Sequence, residues 1–430
     1  VMNREQKNDL QNVFGHRQGA GDLDFVTCWY KKAAEYIQGT EIECAFVSTN
    51  SICQGLQVPI FWQYLLNTYN IKINFAHQTF KWSNEARGKA AVYCVIVGFG
   101  LNDRKEKQIY TYQNVKSEPK KHSVKRINAY LIEADNIFIE NRIAPICDVP
   151  SMNFGNMPAD GGEFLFTKKE KNDFLKVEPD AKKYFQPFIS AKEFLNNGER
   201  WCLWLQEANP NELRKLRYVL QRIENVRKLR EQSARPFLAD IPQLFAQITQ
   251  PKGKRFILIP RVSSERRKYI PIGFFDKNNI ASDTCLIISN ATLYHFGVLT
   301  SSMHMTWMRY VCGRLKSDYR YSKDIVYNNF PWIQNVTDKQ KLKIEKYAQQ
   351  ILDIRKKYPD NSLAALYDPL TMPRDLLKSH QELDKAVDKT YGKTFSDDSA
   401  RVAFLFEMYK ELTKDLLTEK RKVKIKIKNI

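Results

Sequence analysis

The sequence predicts an α/β N-terminal part, an α+β middle and a helical C-terminal module, on three observations. The first hundred residues alternate helix-like and strand-like segments. From about 140 to 332 the composition turns aromatic and basic, with short strand-like runs. From 337 onward the apolar residues recur at helical spacing. At 430 residues the chain is long enough for two or three domains, each with its own core. A content of 43% hydrophobic and 12% aromatic residues excludes a disordered or fibrous class. The 68 Lys and Arg against 48 Asp and Glu leave +20, and a polyanion is the first partner such an excess suggests.

The elements follow in order. Residues 24–37 place Phe25, Cys28, Trp29, Ala33 and Tyr36 on one helical face. A strand follows at 44–49, a helix near 56–68, and strands at 71–76 and 90–98. The last run is apolar on both faces, as in a covered strand. The polar residues 81–89 read as a hairpin connection, and this part therefore holds three strands. Residues 103–126 are rich in lysine and read as a hairpin plus linker. One long charged helix is expected at 210–231, as a solvated face or scaffold with phosphate contacts from a few members. Thr337-Asp338 marks a helix start, with Ile344, Tyr347, Ala348, Ile351 and Leu352 as its stripe. Further helices fall near 373–389 and 398–419. The alternating tail Arg421–Lys428 is either an edge strand or a frayed basic end. The domains then run 1–102, 103–139 (hairpin and linker), 140–332 and 333–430.

No run of about 18 apolar residues exists for a membrane span, no long basic helix has a rich apolar face, and Val1–Lys7 is no signal peptide. The eight cysteines show no CxxC pair and no His at ligand spacing, which reads as reduced core thiols of a cytoplasmic protein with no metal site.

Two stretches carry chemistry. Thr79–Lys89 sets Phe80 and Trp82 among Lys81, Arg87 and Lys89, between two strands at one end of the sheet. A flat apolar ring there could receive a base taken out of its stack, with the cations on flanking phosphates. The plainer reading folds both aromatics back onto the sheet. Residues 261–269 hold Arg261, Ser263, Ser264, Glu265, Arg266, Arg267, Lys268 and Tyr269. Arg suits guanine, Glu suits cytosine, Ser suits either, and the remaining cations suit phosphates. The plainer reading is a solvated charged loop. Ser302, His304, Arg320 and Tyr321 are further candidates, with a core or interface role as the alternative for His304.

From Gly15-His16-Arg17-Gln18-Gly19-Ala20-Gly21-Asp22-Leu23-Asp24-Phe25 through Val97-Gly98-Phe99, the chain resembles the second half of an adenine-N6 DNA methyltransferase catalytic domain. The similarity is greatest to MmeI-like single-chain restriction–modification enzymes. Gly155–Gly162, Arg200–Leu205, Pro260–Pro271, Ser301–Trp307 and Gly313–Ser322 resemble that family's target-recognition domain, in order. Ser362–Pro369 and Met372-Pro373 resemble its terminal helical module. The resemblance implies a partial Rossmann-like half-sheet whose family strand order is 3-2-1-4-5-7-6, with strands five, six and seven present here. It implies that Phe80 stacks on a flipped adenine, with Trp82 as second candidate. Asp24, Phe25 and Trp29 would flank the adenine ring of S-adenosylmethionine.

The family's glycine-rich cofactor turn and its Asn-Pro-Pro-aromatic tetrapeptide do not occur in this sequence. The resemblance puts the tetrapeptide just upstream of Val1. The expectation is the DNA-recognising, base-flipping portion of a bacterial, nucleoid-associated enzyme, inert alone and partnered by double-stranded DNA and a missing N-terminal catalytic half. A stand-alone DNA-binding specificity protein is the alternative, with an RNA-binding module behind it. If the half-sheet reading holds, the 44–49 strand exposes an unpaired edge.

Overall fold

The computed structural model describes residues 2–82, 92–112 and 117–428, with side chains through Lys414. The chain forms two compact units. One comprises Val1–Asp148, Thr306–Gln334 and Lys393–Ile430, the other Val149–Met305 and Asn335–Gly392.

The first unit opens with helix α1 (Arg4–Phe14), started by a reciprocal pair of hydrogen bonds between Asn3 and Gln6. Helix α2 (Thr27–Tyr36) follows, then strand β1 (Cys44–Thr49) and a π-helical turn, Val58–Trp62, running into α3 (Gln63–Thr68). Next come β2 (Lys72–Trp82), β3 (Val92–Gly100), β4 (Lys107–Tyr112) and β5 (Pro119–Val124). They form one sheet in the order β1-β3-β2-β4-β5. Strand β3 is antiparallel to both β1 and β2, and β4 is parallel to β2. Strands β1, β2 and β4 therefore run the same way, and their carboxyl ends share one rim of the sheet.

Four expectations need correction here. The sheet has five described strands, not three. The 103–126 segment is a hairpin, but not a linker, because Ile109 and the aliphatic part of Lys107 are buried and β4 pairs with β2. Strand β2 runs on through Trp82, so Phe80, Lys81 and Trp82 are strand residues. The rest of the expected hairpin, with Arg87 and Lys89, lies outside the described residues. The buried side of α2 is set by Cys28, Tyr30 and Ala34, while Trp29 and Tyr36 are 50% and 74% exposed. The Tyr30 ring is the reason: it sits among Phe46, Phe61, Trp62 and Phe99 under the sheet, and its hydroxyl shares a 2.9 Å hydrogen bond with Ser48.

The expected open edge is present. Among the described residues β1 pairs with β3 alone. Two later segments complete this unit: the hairpin Gly313–Leu315 with Asp318–Arg320, and the helix Asp398–Lys428. The helix continues through the basic tail, so Arg421–Lys428 is not an edge strand.

The second unit contains two four-stranded sheets. One orders β12 (Gly273–Asp276), β10 (Arg255–Pro260), β14 (Cys285–Ser289) and β6 (Met152–Phe154). The other orders β13 (Ile280–Ala281), β8 (Phe185–Ile189), β9 (Arg200–Leu203) and β7 (Leu165–Thr167). A two-residue strand, β11 (Val262–Ser263), begins the basic loop. Phe164, Phe166, Phe188, Cys202, Leu203, Val219 and Val226 form the larger core cluster.

Helices α4 (Lys168–Val177), α5 (Ala191–Asn196), α6 (Pro210–Leu213) and α7 (Arg217–Glu231) surround the second sheet. The single helix expected at 210–231 is broken at Arg214–Leu216. The break lets the Glu178 carboxylate accept from the Tyr218 and Val219 backbone N–H groups at 3.0 and 2.9 Å, capping α7 from a distance. Near its end Arg230 is 1% exposed and donates to five carbonyls, of Pro158, Ala159, Leu238, Ile241 and Leu244. That supports the scaffold reading of this helix.

Helices α8 (Leu293–Thr300), α9 (Ser302–Val311), α10 (Asp338–Lys356), α11 (Leu363–Leu366) and α12 (Arg374–Thr390) follow. Thr337 caps α10 through Gln340, and Ile344, Ala348 and Ile351 are its buried stripe, as the spacing predicted. Seven cysteines are buried, Cys44 is half-buried, and all eight are free thiols. Among the described residues no helix is long and apolar enough to cross a membrane.

Candidate nucleic-acid interface

A cavity of about 220 Å³ opens at the shared rim of the first unit. In open α/β sheets the carboxyl ends of co-directional strands are where ligands bind, because the loops there are free to carry polar groups. Here those ends supply Asn50, Cys53 and Gln54 after β1, Gln78 and Thr79 from β2, and Tyr112 from β4. Val95, Tyr130, Leu131, Arg309, Tyr310, Arg314 and Asp398 complete the lining.

The polar groups are held in place. Asn50 Nδ2 donates to Thr79 Oγ1 at 3.3 Å, and Gln78 Nε2 donates to the Leu131 carbonyl at 2.9 Å. Arg309 pairs with Asp398 at 2.8 Å. Arg314 donates through Nε to Gln54 Oε1 at 3.0 Å, with its guanidinium 4.0 Å over the Tyr319 ring. Gly55 lets the turn after β1 meet the 313–320 hairpin: its φ is +53°, and a Cβ there would lie 3.1 Å from the Gly313 Cα.

Phe80 is half-buried beside this cavity but does not line it. Its ring stacks on Tyr112, centroids 5.3 Å apart at 27°, and lies 6.3 Å from both His77 and Trp82. Tyr112 Oη and His77 Nδ1 are 2.8 Å apart, and the His77 ring lies flat on Tyr110 at 4.2 Å. Burial lowers the His77 pKa and raises that of Tyr112, aided by the Glu118 charge. At neutral pH the pair is therefore uncharged and shares one hydrogen bond. Lys81 is half-buried and Trp82 is 46% exposed.

Asp24, Phe25 and Trp29 come together at the start of α2. The Gln57 side chain accepts from Asp24 N and donates to the Asp22 carbonyl, and Ser51 Oγ donates to the Asp24 carboxylate. Phe25 and Trp29 meet edge to face at 5.0 Å. A half-exposed indole next to a fixed phenyl ring suits one side of a purine. Part of the carboxylate's accepting capacity is already used by Ser51.

In the second unit the 261–269 loop divides. Arg266 and Lys268 are exposed, Arg266 with Asp368 3.6 Å away, and Glu265 and Ser264 are half-buried. Arg261 is turned to its own sheet, donating to the Asp283 carbonyl at 2.9 Å and lying 4.7 Å over Phe154. Arg267 donates to the buried Ser263 hydroxyl at 3.4 Å. Five of the predicted contact residues have to be corrected, because their side chains are buried: Ser263, Tyr269, Ser302, His304 and Tyr321.

Tyr269 stacks on His380 at 4.2 Å and donates to Asp384, which also accepts from the backbone and hydroxyl of Ser302. His304 is wholly buried, and burial pushes its pKa down to about 3. Arg320 is exposed at the end of its hairpin. Sequence reasoning missed Asn50, Gln54, Gln78, Tyr112, Arg309, Arg314 and Asp398. The polar run Thr49-Asn50-Ser51 directly after a strand was the one available signal.

Comparison with known proteins assigns the class. Family models match in three consecutive stretches: the MmeI DNA-methyltransferase domain over residues 1–111, the MmeI target recognition domain over 133–334 and the MmeI C-terminal domain over 336–417. The architecture is a methyltransferase-fold part, a target-recognition domain and a C-terminal helical region, and the chain belongs to the MmeI family. It is 40% identical to DNA methyltransferase A of Bacillus subtilis (strain 168) over 416 residues, which is 96% of this chain and 46% of that protein. It matches the Type IIL restriction–modification enzyme MmeI, solved in complex with DNA, at 51% identity and a TM-score of 0.87, covering 96% of this chain and 55% of that one. The chain thus spans about half the length of the relatives it matches.

Proposed function

We propose that this chain is the DNA-recognition and base-accommodating portion of a site-specific adenine-N6 DNA methyltransferase of a restriction–modification system. The observation that carries the reading is the cavity at the shared carboxyl ends of β1, β2 and β4, with the aromatic cluster around Phe80 beside it. A duplex base is reachable for chemistry only when rotated out of the stack, and the receiving pocket needs a flat apolar surface with amide or hydroxyl groups for the base edge. Here Phe80 and Tyr112 supply rings, and Asn50, Gln54, Gln78 and Thr79 supply the edge partners. Side-chain amides match adenine, whose amino group donates while its ring nitrogens accept. The β1-β3-β2 order supports the half-sheet reading, since it is the 5-7-6 end of the family order.

Asp24, Phe25 and Trp29 would hold the adenine end of S-adenosylmethionine, which when bound supplies an electrophilic methyl group. The family resemblance assigns orienting the target amine for transfer to an Asn-Pro-Pro-aromatic tetrapeptide, which does not occur in this sequence. In the second unit the exposed Arg266 and Lys268 would contact phosphates or guanine, with Ser264 and Glu265 as base-edge candidates. Arg320 is a further phosphate contact, as are Lys81 and, from the sequence, Arg87 and Lys89. With +20 overall, non-specific attraction to the backbone adds to all of these.

Selection from a randomised duplex library, followed by binding across salt concentrations, tests the reading. A recovered consensus, bound at least about 1,000-fold more tightly than random duplex, supports it. Equal affinity for selected and random duplexes contradicts it.

A further inference from the structure

The cavity and the Phe80 ring do not coincide. Phe80 does not line the cavity; Tyr112 does, and Tyr112 covers the Phe80 ring. Of these two rings, Tyr112 is therefore the one that a base entering this space can touch. Tyr112 is also the better-fixed ring. It stacks on Phe80 at 5.3 Å, its hydroxyl bonds His77 at 2.8 Å, and His77 is clamped flat on Tyr110 at 4.2 Å. Its strand is pinned on both sides, by β2 and by β5 through the Tyr112–Pro119 register. A ring held from its back and its hydroxyl has little rotamer freedom left to lose when a base packs on it.

We infer that Tyr112 is the base-contacting aromatic of the cavity, and that an extruded purine extends the stack as base–Tyr112–Phe80, with His77 as the residue that positions the phenol. The inference rests on the base-accommodating reading above and names which ring performs it. Phe80 then acts through Tyr112, as the surface that keeps the phenol aligned. The cavity, of about 220 Å³, is lined by Tyr112. Asn50, Gln54 and Gln78 line the same cavity and bring their amides to it as candidate partners for a base edge.

The test uses the full chain and a duplex selected by the wild-type protein, with 2-aminopurine replacing each adenine of the site in turn. Wild type is expected to raise the emission at one position. Tyr112→Ala should lose that rise and bind the selected duplex about 5- to 150-fold more weakly, the range set by loss of one base–aromatic stack, while random-duplex affinity stays within about twofold. Tyr112→Leu, which keeps apolar bulk without the ring, should give the same loss should the alanine variant fold poorly. Tyr112→Phe should stay within about threefold of wild type, because it keeps the ring and loses only the His77 contact. Phe80→Ala should fall between the phenylalanine and alanine variants. The assignment is overturned if Tyr112→Leu retains the emission rise and affinity while Phe80→Ala loses both; Phe80 is then the contact and the base-accommodating reading stands. A wild-type chain that raises emission at no adenine overturns both.

Discussion

Arg230 offers the sharpest test of how the second unit is held. All five guanidinium N–H groups are used, on carbonyls 2.8–3.1 Å away, and among the described residues no carboxylate bonds it. Three of those carbonyls keep a second donor: Pro158 from Ala246 N, Leu238 from Ile241 N and Ile241 from Leu244 N. The carbonyls of Ala159 and Leu244 depend on the guanidinium. Arg230→Met fills similar volume, removes the buried charge and takes the guanidinium donor from two part-buried acceptors. At the low end of roughly 1–3 kcal/mol for each, because both are part-buried, the loss is about 2 kcal/mol. For a unit of this size, each kcal/mol moves the melting temperature by about 2–4 °C, so a fall of about 4–8 °C is expected by calorimetry. Arg230→Lys should recover less than half of it, because one ammonium cannot span five separated carbonyls. A shift under about 2 °C for the methionine variant would refute the reading of this residue as a scaffold that ties the Pro158, Ala159 and Leu244 carbonyls to the helix.

Other outcomes follow from the same geometry. His304 is neutral in the folded protein down to about pH 3, whereas an unfolded histidine protonates near 6.5, so the unfolded state binds more protons below that value. Stability should therefore fall with acidification, by about 1.4 kcal/mol from this residue at pH 5.5, and His304→Gln should flatten that limb in urea titrations. Replacing both Arg266 and Lys268 with alanine should lower the slope of log affinity against log salt by about 1.8 if both contact phosphates. Tyr269→Phe, which removes a hydrogen bond to buried Asp384, should lower the melting temperature while leaving that salt slope unchanged.

Much of the first unit was legible because its strands are apolar runs with clear ends. Cys44–Thr49 appeared as a strand at the stated residues, and its unpaired edge followed from the half-sheet reading. Residues 103–126 were read as a hairpin, but its membership of the sheet was missed because its signal is weak: β5 is Pro-Lys-Lys-His-Ser-Val, exposed along most of its length, and only tertiary pairing makes it a strand. In the loop 261–269 the residue types suggested DNA contact equally for all members. Burial separated them, since Tyr269 and Ser263 point into their own unit while Arg266 and Lys268 do not. Periodicity misled at α2, where Trp29 and Tyr36 fit the helical stripe but Tyr30 occupies the core. Tyr112 could not be found from sequence, since its value comes from Phe80 and His77, brought beside it by parallel pairing of two strands.

The most direct measurement is 2-aminopurine emission on adding the wild-type chain to its selected duplex, scanned adenine by adenine. The account predicts a rise confined to a single position, absent from a scrambled duplex of equal length. Uniform emission at every position, with the duplex bound, would mean that the protein holds DNA without opening it.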